Sequence, residues 1–298
     1  MTDSSLDLSG WRAANPDKAL YAVIGDPIAQ SKSPIMHNRA FAELGLDAEY
    51  RAFLVKEEQL ERFIAEARAS RLAGLNVTIP HKLHVMKHLD DIDADAEELG
   101  AVNTIVNDNG RLIGYNTDGI GYVRSLKEEA IASLQQKEIV VIGAGGAARG
   151  IVHALLKEQP ASIALVNRTV ARAEELVASL KHQGELRACG TDQLQLLCAS
   201  ADVVINTTSV GMYPHEDEQP AQGSWLKAGA VASDLIYNPL YTSFVEDAEQ
   251  HGCIKHGGLG MFIYQGAFAF EYWTGKQAPV EAMRQAVLAA LKQKHIVE

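Results

Sequence analysis

At 298 residues the chain has room for one large or two medium domains, and 47% hydrophobic content is enough to fill their cores. Its 27 Lys+Arg against 38 Asp+Glu leave a formal net charge of −11. That excludes a broad basic face for nucleic acid, though not a local positive pocket for a small anion. Three cysteines, Cys189, Cys198 and Cys253, are too few and too scattered for a disulfide framework or a zinc site. No His/Cys/Asp cluster at ligand spacing predicts a metal.

The opening MTDSSLDLSGWRAANPDK is polar and acidic, lacks the layout of a secretory signal, and reads as an irregular or loosely helical extension. After it, Ala19–Gly25, Glu49–Leu54 and Gly74–Val77 read as strands, with helices over Pro34–Leu44 and Lys56–Ala69 between them. This alternation predicts an α/β fold with a mostly parallel sheet and helices on both faces. Ala101–Val106 and Arg111–Tyr115 flank Asp108-Asn109-Gly110, a hairpin signal, and a helix capped by Asn116 or Thr117 follows. A second βα series begins at Glu138–Ile142 and continues through Ser162–Val166, Val203–Asn206 and Val231–Ile236. Helical patterns over Leu259–Thr274 and Pro279–Lys294 lie beyond it. The apolar stretch from Gly257 to Trp273 carries Gln265 and Glu271, so it reads as a buried helix rather than a membrane span. A cytoplasmic protein without a membrane partner is expected.

The strongest local signal is Ile139–Ile142 followed by Gly143-Ala144-Gly145-Gly146-Ala147-Ala148. Strand, G-x-G-x-x-A, helix is the dinucleotide-binding pattern. Gly143 permits the tight turn, Gly145 lets backbone approach a diphosphate, and Ala148 allows close helix–strand packing. The helix N-terminus then offers free N–H groups to the phosphates. An NAD site places an acidic residue on the ribose about 20 residues further on. Here the next strand ends in Asn167-Arg168-Thr169, with Arg172 one turn later. Two guanidiniums suit a 2′-phosphate and favour NADP; the alternative is that they are solvated charges at a helix start.

Three polar clusters follow predicted strands. Asp26–Pro34 carries Ser31 and Ser33, and Ser33 before Pro34 fits an N-cap with proline at the first helical position. Thr78–Lys82 and Asn116–Gly119 are the others. In α/β folds strand C-termini face the ligand, so these clusters are expected to share a crevice. Asn103 is either a ligand contact or a pin for the hairpin. Tyr237 is either a ligand contact or a core tyrosine before a turn. Gln265, an amide in an apolar helix, needs a partner. His37, His81 and His84 read as structural or surface residues.

In order along the chain, GDPIAQSKSP, GLNVTIPHK, AVNTIV, GYNTDGIG, GAGGAARG, NRTVARA, INTTSVGM, DLIYNP and GGLGMFIYQGA resemble the shikimate dehydrogenase family. The resemblance implies an N-terminal α/β substrate domain over 1–119, completed by helices over 258–298, and a Rossmann-like NADP-binding domain over 120–257. It implies that Ser31 and Ser33 hold a substrate carboxylate, that Thr78, Asn103, Tyr237 and Gln265 bond ring hydroxyls or carboxylate, and that Lys82 and Asp118 are the catalytic pair. Gly143, Ala144, Gly145, Gly146 and Ala147 would face the NADP diphosphate. Asn167, Arg168, Thr169 and Arg172 would face its 2′-phosphate, and Leu235, Gly258 and Met261 would line the nicotinamide. Gln30 departs from the histidine many members carry there, and the N-terminal extension is longer than the family core requires. The implied reaction is reversible NADPH-dependent reduction of 3-dehydroshikimate to shikimate, toward aromatic amino acids, by a monomer or homodimer acting on small molecules. The alternatives are a quinate/shikimate dehydrogenase with relaxed cofactor use, and a non-catalytic NADP-sensing protein.

Overall fold

The computed structural model describes residues 8–180 and 184–294. In chain order the elements are α1 (Leu8–Ala14), β1 (Ala19–Gly25), α2 (Ser33–Glu43), β2 (Ala48–Leu54), α3 (Leu60–Ala69), β3 (Gly74–Val77), β4 (Asp91–Ile92), α4 (Ala94–Leu99), β5 (Thr104–Asp108), β6 (Arg111–Tyr115) and α5 (Asp118–Glu129). There follow β7 (Glu138–Ile142), α6 (Gly146–Lys157), β8 (Ser162–Val166), α7 (Val170–Ser179), β9 (Leu186–Cys189), α8 (Leu194–Ser200), β10 (Val203–Asn206), β11 (Val231–Asp234), α9 (Ser243–Gln250), β12 (Ile254–His256), α10 (Leu259–Thr274) and α11 (Val280–Lys294). Contacts group the chain into two units, Met1–Thr117 with Gln265–Glu298, and Asp118–Tyr264. No helix among the described residues is long and apolar enough to cross a membrane.

The first unit is built on a sheet of order β2-β1-β3-β5-β6-β4. β1, ALYAVIG, is buried from its second residue on, which is what a strand covered on both faces requires. It pairs in parallel with β2 and β3, while β3–β5 and β5–β6 are antiparallel. With β4–β6 parallel as well, the sheet is mixed, its antiparallel pairs coming from the β5–β6 hairpin. Asn109 and Gly110 form its two-residue turn at φ 53° and 99°, a backbone shape that asparagine and glycine tolerate. Leu20, Ala22 and Ile24 on one face of β1 pack with Phe53, Phe63, Ile64, Leu75 and Ile105. On the other face Tyr21 stacks on Phe41 at 4.9 Å and lies 5.1 Å from Trp273. Gly74 on β3 leaves the space that the Trp273 indole fills, and the indole N–H donates to the Ile105 carbonyl at 2.9 Å.

The N-terminal extension is more ordered than its polar sequence suggests. Its first seven residues lie outside the described residues, but α1 buries Leu8 and Trp11 in the core of the first unit. Arg12 donates to the carbonyls of Lys18 and Ser70 at 2.9 Å and of Arg71 at 3.0 Å. Short as it is, α1 is held by tertiary contacts rather than by its own propensity.

The second unit carries an all-parallel sheet of order β12-β11-β10-β7-β8-β9. Counted from its own first strand this is 3-2-1-4-5-6, the doubly wound dinucleotide-binding order with its switch point between β7 and β10. β7, β8 and β10 are the apolar runs read from sequence; the short outer strands β9 and β12 carry no such run.

Candidate active site

In the first unit three segments reach one end of the sheet. β1 and β3 are parallel neighbours, so the chains leaving them emerge together; β5 is antiparallel to β3, so the chain entering it arrives at the same end. Backbone bonds tie the three. Asp26 N–H donates to the Ile79 carbonyl at 3.0 Å, Thr78 N–H to Ile24 at 2.9 Å, and both Val77 N–H to Asn103 and Val102 N–H to Lys82 at 2.8 Å. This brings together Ser31, Ser33, Thr78, Lys82 and Asn103. Gln265, half-buried on α10, belongs to the same unit.

Ser33 is not the N-cap expected from sequence. It is the first helical residue of α2, Lys32 occupies the cap position, and no side chain caps the helix. Ser33 is buried, and its hydroxyl lies near enough to the Tyr50 phenol to oppose, in small part, the rise that burial imposes on it. Tyr50 gives its own proton to Asn76 Oδ1 at 2.7 Å. Asn76 Nδ2 donates to the Asn103 carbonyl at 3.2 Å and to Thr104 Oγ1 at 3.1 Å. Asn103 Oδ1 accepts from Thr117 N–H at 2.8 Å and Thr104 Oγ1 at 2.9 Å, and its Nδ2 donates to Thr117 Oγ1 at 3.0 Å. Asn103 therefore pins the hairpin whatever else it does. Ser31 lies at the outer edge, its Oγ accepting the Ser33 N–H at 3.3 Å. α2 has no acidic residue in its first turn, so its positive end is uncompensated. His81 is buried with Nε2 on the Val55 carbonyl at 2.6 Å, and His84 is exposed beside Glu57 at 3.2 Å; neither is placed for proton chemistry.

The second unit holds the remaining residues. Gly143 has φ 109°, and a Cβ there would meet Thr207 Oγ1 at 2.7 Å, so glycine is required on both counts. At Gly145 and Gly146 a Cβ would meet nothing within 4 Å. The two glycines and Ala147 are exposed at the start of the 12-residue α6, whose first turn has no acidic residue. This open cradle at a helix N-terminus fits a diphosphate. Ala148 is fully buried against the core of the unit. At the end of β8, Asn167 Nδ2 donates to the Thr169 carbonyl at 2.8 Å and fixes the turn. Arg168 and Arg172 are exposed, and neither enters an ion pair among the described residues. Asp118 opens α5, Leu235 follows β11, and Gly258 packs on the Leu235 carbonyl where a Cβ would not fit. Met261 lies against the core of the unit. Tyr237 stacks on Phe262 at 5.0 Å, and burial pushes its phenol above the ordinary tyrosine value. Tyr50, Asn76 and Thr104 were not singled out in the sequence. Asn76 carried a signal, an amide inside the otherwise apolar GLNV.

A doubly wound sheet with an open glycine turn at a helix start, in one chain with a second α/β unit, defines a two-unit protein of the dinucleotide-binding class. The profile of the shikimate dehydrogenase substrate binding domain matches residues 23–105, that of shikimate / quinate 5-dehydrogenase residues 125–223, and that of the shikimate 5′-dehydrogenase C-terminal domain residues 258–288. The NADP(+) shikimate dehydrogenase of Bacillus cytotoxicus is 47% identical over 274 residues, covering 92% of this chain and 99% of that one. The solved shikimate 5-dehydrogenase of Listeria monocytogenes, in complex with shikimate and NAD, is 39% identical with a TM-score of 0.85, covering 91% and 96% of the two chains. That of Thermus thermophilus, in complex with NADP(H) and shikimate, is 33% identical with a TM-score of 0.82, covering 91% and 99%. The chain belongs to the shikimate dehydrogenase family.

Proposed function

We propose that this chain interconverts 3-dehydroshikimate and shikimate with NADP(H). The observation that carries the reading is the set Ser31, Ser33, Thr78, Lys82 and Asn103, brought to one end of the first sheet by three segments far apart in sequence. In this reading residues 1–119 with 258–298 serve the substrate and 120–257 the cofactor. Ser31 and Ser33 hold the carboxylate at the positive end of α2. Thr78, Asn103, Tyr237 and Gln265 bond the ring oxygens or the carboxylate. Gly143–Ala147 hold the diphosphate, Asn167, Arg168, Thr169 and Arg172 the 2′-phosphate, and Leu235, Gly258 and Met261 the nicotinamide. When bound, NADPH supplies the hydride.

Lys82, as ammonium, stabilises charge growing on the carbonyl oxygen and delivers the proton to it. In the reverse direction its neutral amine accepts the alcohol proton, and Asp118 hydrogen-bonds the same hydroxyl. The reading places the protein in the cytoplasm as a monomer or homodimer. Nicotinamide absorbance with shikimate or quinate, each with NADP or NAD, tests it. Reduction with shikimate and NADP alone is expected. Turnover of quinate or use of NAD transfers the chain to the broader quinate/shikimate reading, and no turnover with any pair refutes catalysis.

A further inference from the structure

Resting on that reading, the cofactor unit contains a second buried polar group that the roles above do not use. β10 and β11 are parallel neighbours, and their last residues, Asn206 and Asp234, face each other in register. Both are buried, at 0% and 1% exposure. Asp234 Oδ2 accepts from Asn206 Nδ2 at 2.9 Å and from Thr242 Oγ1 at 2.8 Å, while Oδ1 accepts from Ile236 N–H at 2.9 Å. Asn206 Nδ2 also donates to the Val210 carbonyl at 3.1 Å, which can only accept, so the amide orientation is fixed. Its Oδ1 takes the Thr208 N–H at 3.0 Å and hydroxyl at 2.7 Å.

Thr242 makes the arrangement unusual. It occupies the N-cap of α9, where a threonine hydroxyl ordinarily accepts a helix N–H, yet it makes no cap bond. Its hydroxyl is committed to Asp234 instead. No cation pairs with Asp234 among the described residues, so a buried carboxylate is retained here on neutral donors alone. Burying a charge this way is costly, and desolvation raises the Asp234 pKa to about 6.

The group sits between two parts of the cofactor half. The loop after Asn206 touches the glycine turn, where a Cβ on Gly143 would meet Thr207 Oγ1 at 2.7 Å and Thr208 Cγ2 at 2.9 Å. Thr207 itself donates to the Ile142 carbonyl at 2.8 Å. On the other side Asp234 holds the chain that runs into Leu235 and Ile236. Leu235 N–H donates to the Asn206 carbonyl at 3.2 Å, and Gly258 N–H to the Ile236 carbonyl at 3.1 Å. We propose that Asp234, with Asn206 and Thr242, is a positioning residue that fixes the spacing between the glycine turn and the nicotinamide-lining residues Leu235 and Gly258, and so sets NADPH affinity. Rigid support of this kind is what a geometrically demanding site needs.

The test is NADPH fluorescence titration of the full-length protein, with the KM for shikimate measured alongside. Asp234→Asn leaves an amide donor facing either Asn206 Nδ2 or the Ile236 N–H, and Thr242→Val removes one bond; Thr242→Ser keeps it. The expected result is an NADPH Kd raised roughly tenfold in Asp234→Asn and several-fold in Thr242→Val. The KM for shikimate stays within about twofold, and Thr242→Ser binds like wild type. If Asp234→Asn does not fold, the threonine pair decides alone. Wild-type affinity in Thr242→Val, an equal loss in Thr242→Ser, or a parallel rise in shikimate KM overturns the positioning role. Wild-type protein that binds no NADPH overturns the underlying cofactor reading instead.

Discussion

His37 should make the first unit sensitive to acid. It lies on α2 one turn past Ser33, fully buried, with its ring stacked 4.4 Å from Tyr50 and 5.2 Å from Trp273. Neither ring nitrogen has a hydrogen-bond partner among the described residues. Burial lowers its pKa from 6.5 to about 3. The unfolded chain takes a proton that the folded protein refuses, so His37 contributes stability that is present above pH 6.5 and lost as pH falls toward 3. At about pH 5 the protonated unfolded state is favoured by roughly 1.5 pH units, which at about 1.4 kcal/mol per unit is about 2 kcal/mol. That is a large share of the ~5–15 kcal/mol that holds a typical domain. His37→Phe keeps a ring in the stack and removes the basic nitrogens. Urea unfolding at about pH 8 and about pH 5, followed by tryptophan fluorescence, compares the two proteins; Trp273 beside the ring reports on this unit. Wild type should lose about 2 kcal/mol more than His37→Phe between the two conditions. Equal losses would refute the linkage, because the group responsible would still be present in the variant.

Three further outcomes follow from the same geometry. Lys82→Ala should lower kcat by roughly 10²–10⁴-fold with a much smaller change in shikimate affinity, since it removes a positioned proton donor; comparable turnover would sink the assignment. Arg168→Ala and Arg172→Ala should each raise the NADP KM by roughly tenfold or more while leaving NAD kinetics unchanged, the loss expected for a charge-assisted bond. An unaltered NADP-to-NAD ratio would show the guanidiniums to be solvated charges. Gly74→Ala places a methyl group where the Trp273 indole packs, an overpacking that should cost about 1–3 kcal/mol in urea unfolding; wild-type stability would contradict that packing.

What could be read from the sequence depended on how locally each feature is encoded. β1, β7 and β8 announce themselves because strands buried on both faces are largely continuous apolar runs. The turn at Asn109-Gly110 and the one at Gly143 need positive φ, which only a few residue types supply cheaply. β9 and β12 lie at the sheet edges, are four and three residues long, and carry exposed positions, so no period could develop. α1 was legible only as one of two alternatives, an irregular or a loosely helical opening, since Leu8 and Trp11 carry too little pattern to outweigh polar neighbours. Ser33 misled for a different reason. Ser-Pro is a sound local cap signal, but the helix begins one residue earlier, with Lys32 at the cap position and Ser33 buried in its first turn.

The same distinction separates the candidate residues of the first unit from those of the second. A diphosphate can be held by one glycine turn and one helix end, so its site is a short contiguous motif, and Gly145 and Gly146 leave their surface open for it. A small polyhydroxylated ring needs directional donors and acceptors at several points, and no single loop reaches them all. The candidate groups Ser31, Ser33, Thr78, Lys82 and Asn103 lie after β1, after β3 and before β5, and only the strand order brings those segments to one end of the sheet. Their orientation is then fixed from beneath: Asn76 Nδ2 faces the Asn103 carbonyl, which can only accept, and so its Oδ1 must face the Tyr50 hydroxyl. Thr117 N–H and Thr104 Oγ1 both donate to Asn103 Oδ1. With that oxygen accepting twice, the orientation of the Asn103 amide is fixed. That orientation is set by Asn76, Thr104 and Thr117 together, and the AVNTIV motif by itself does not specify it.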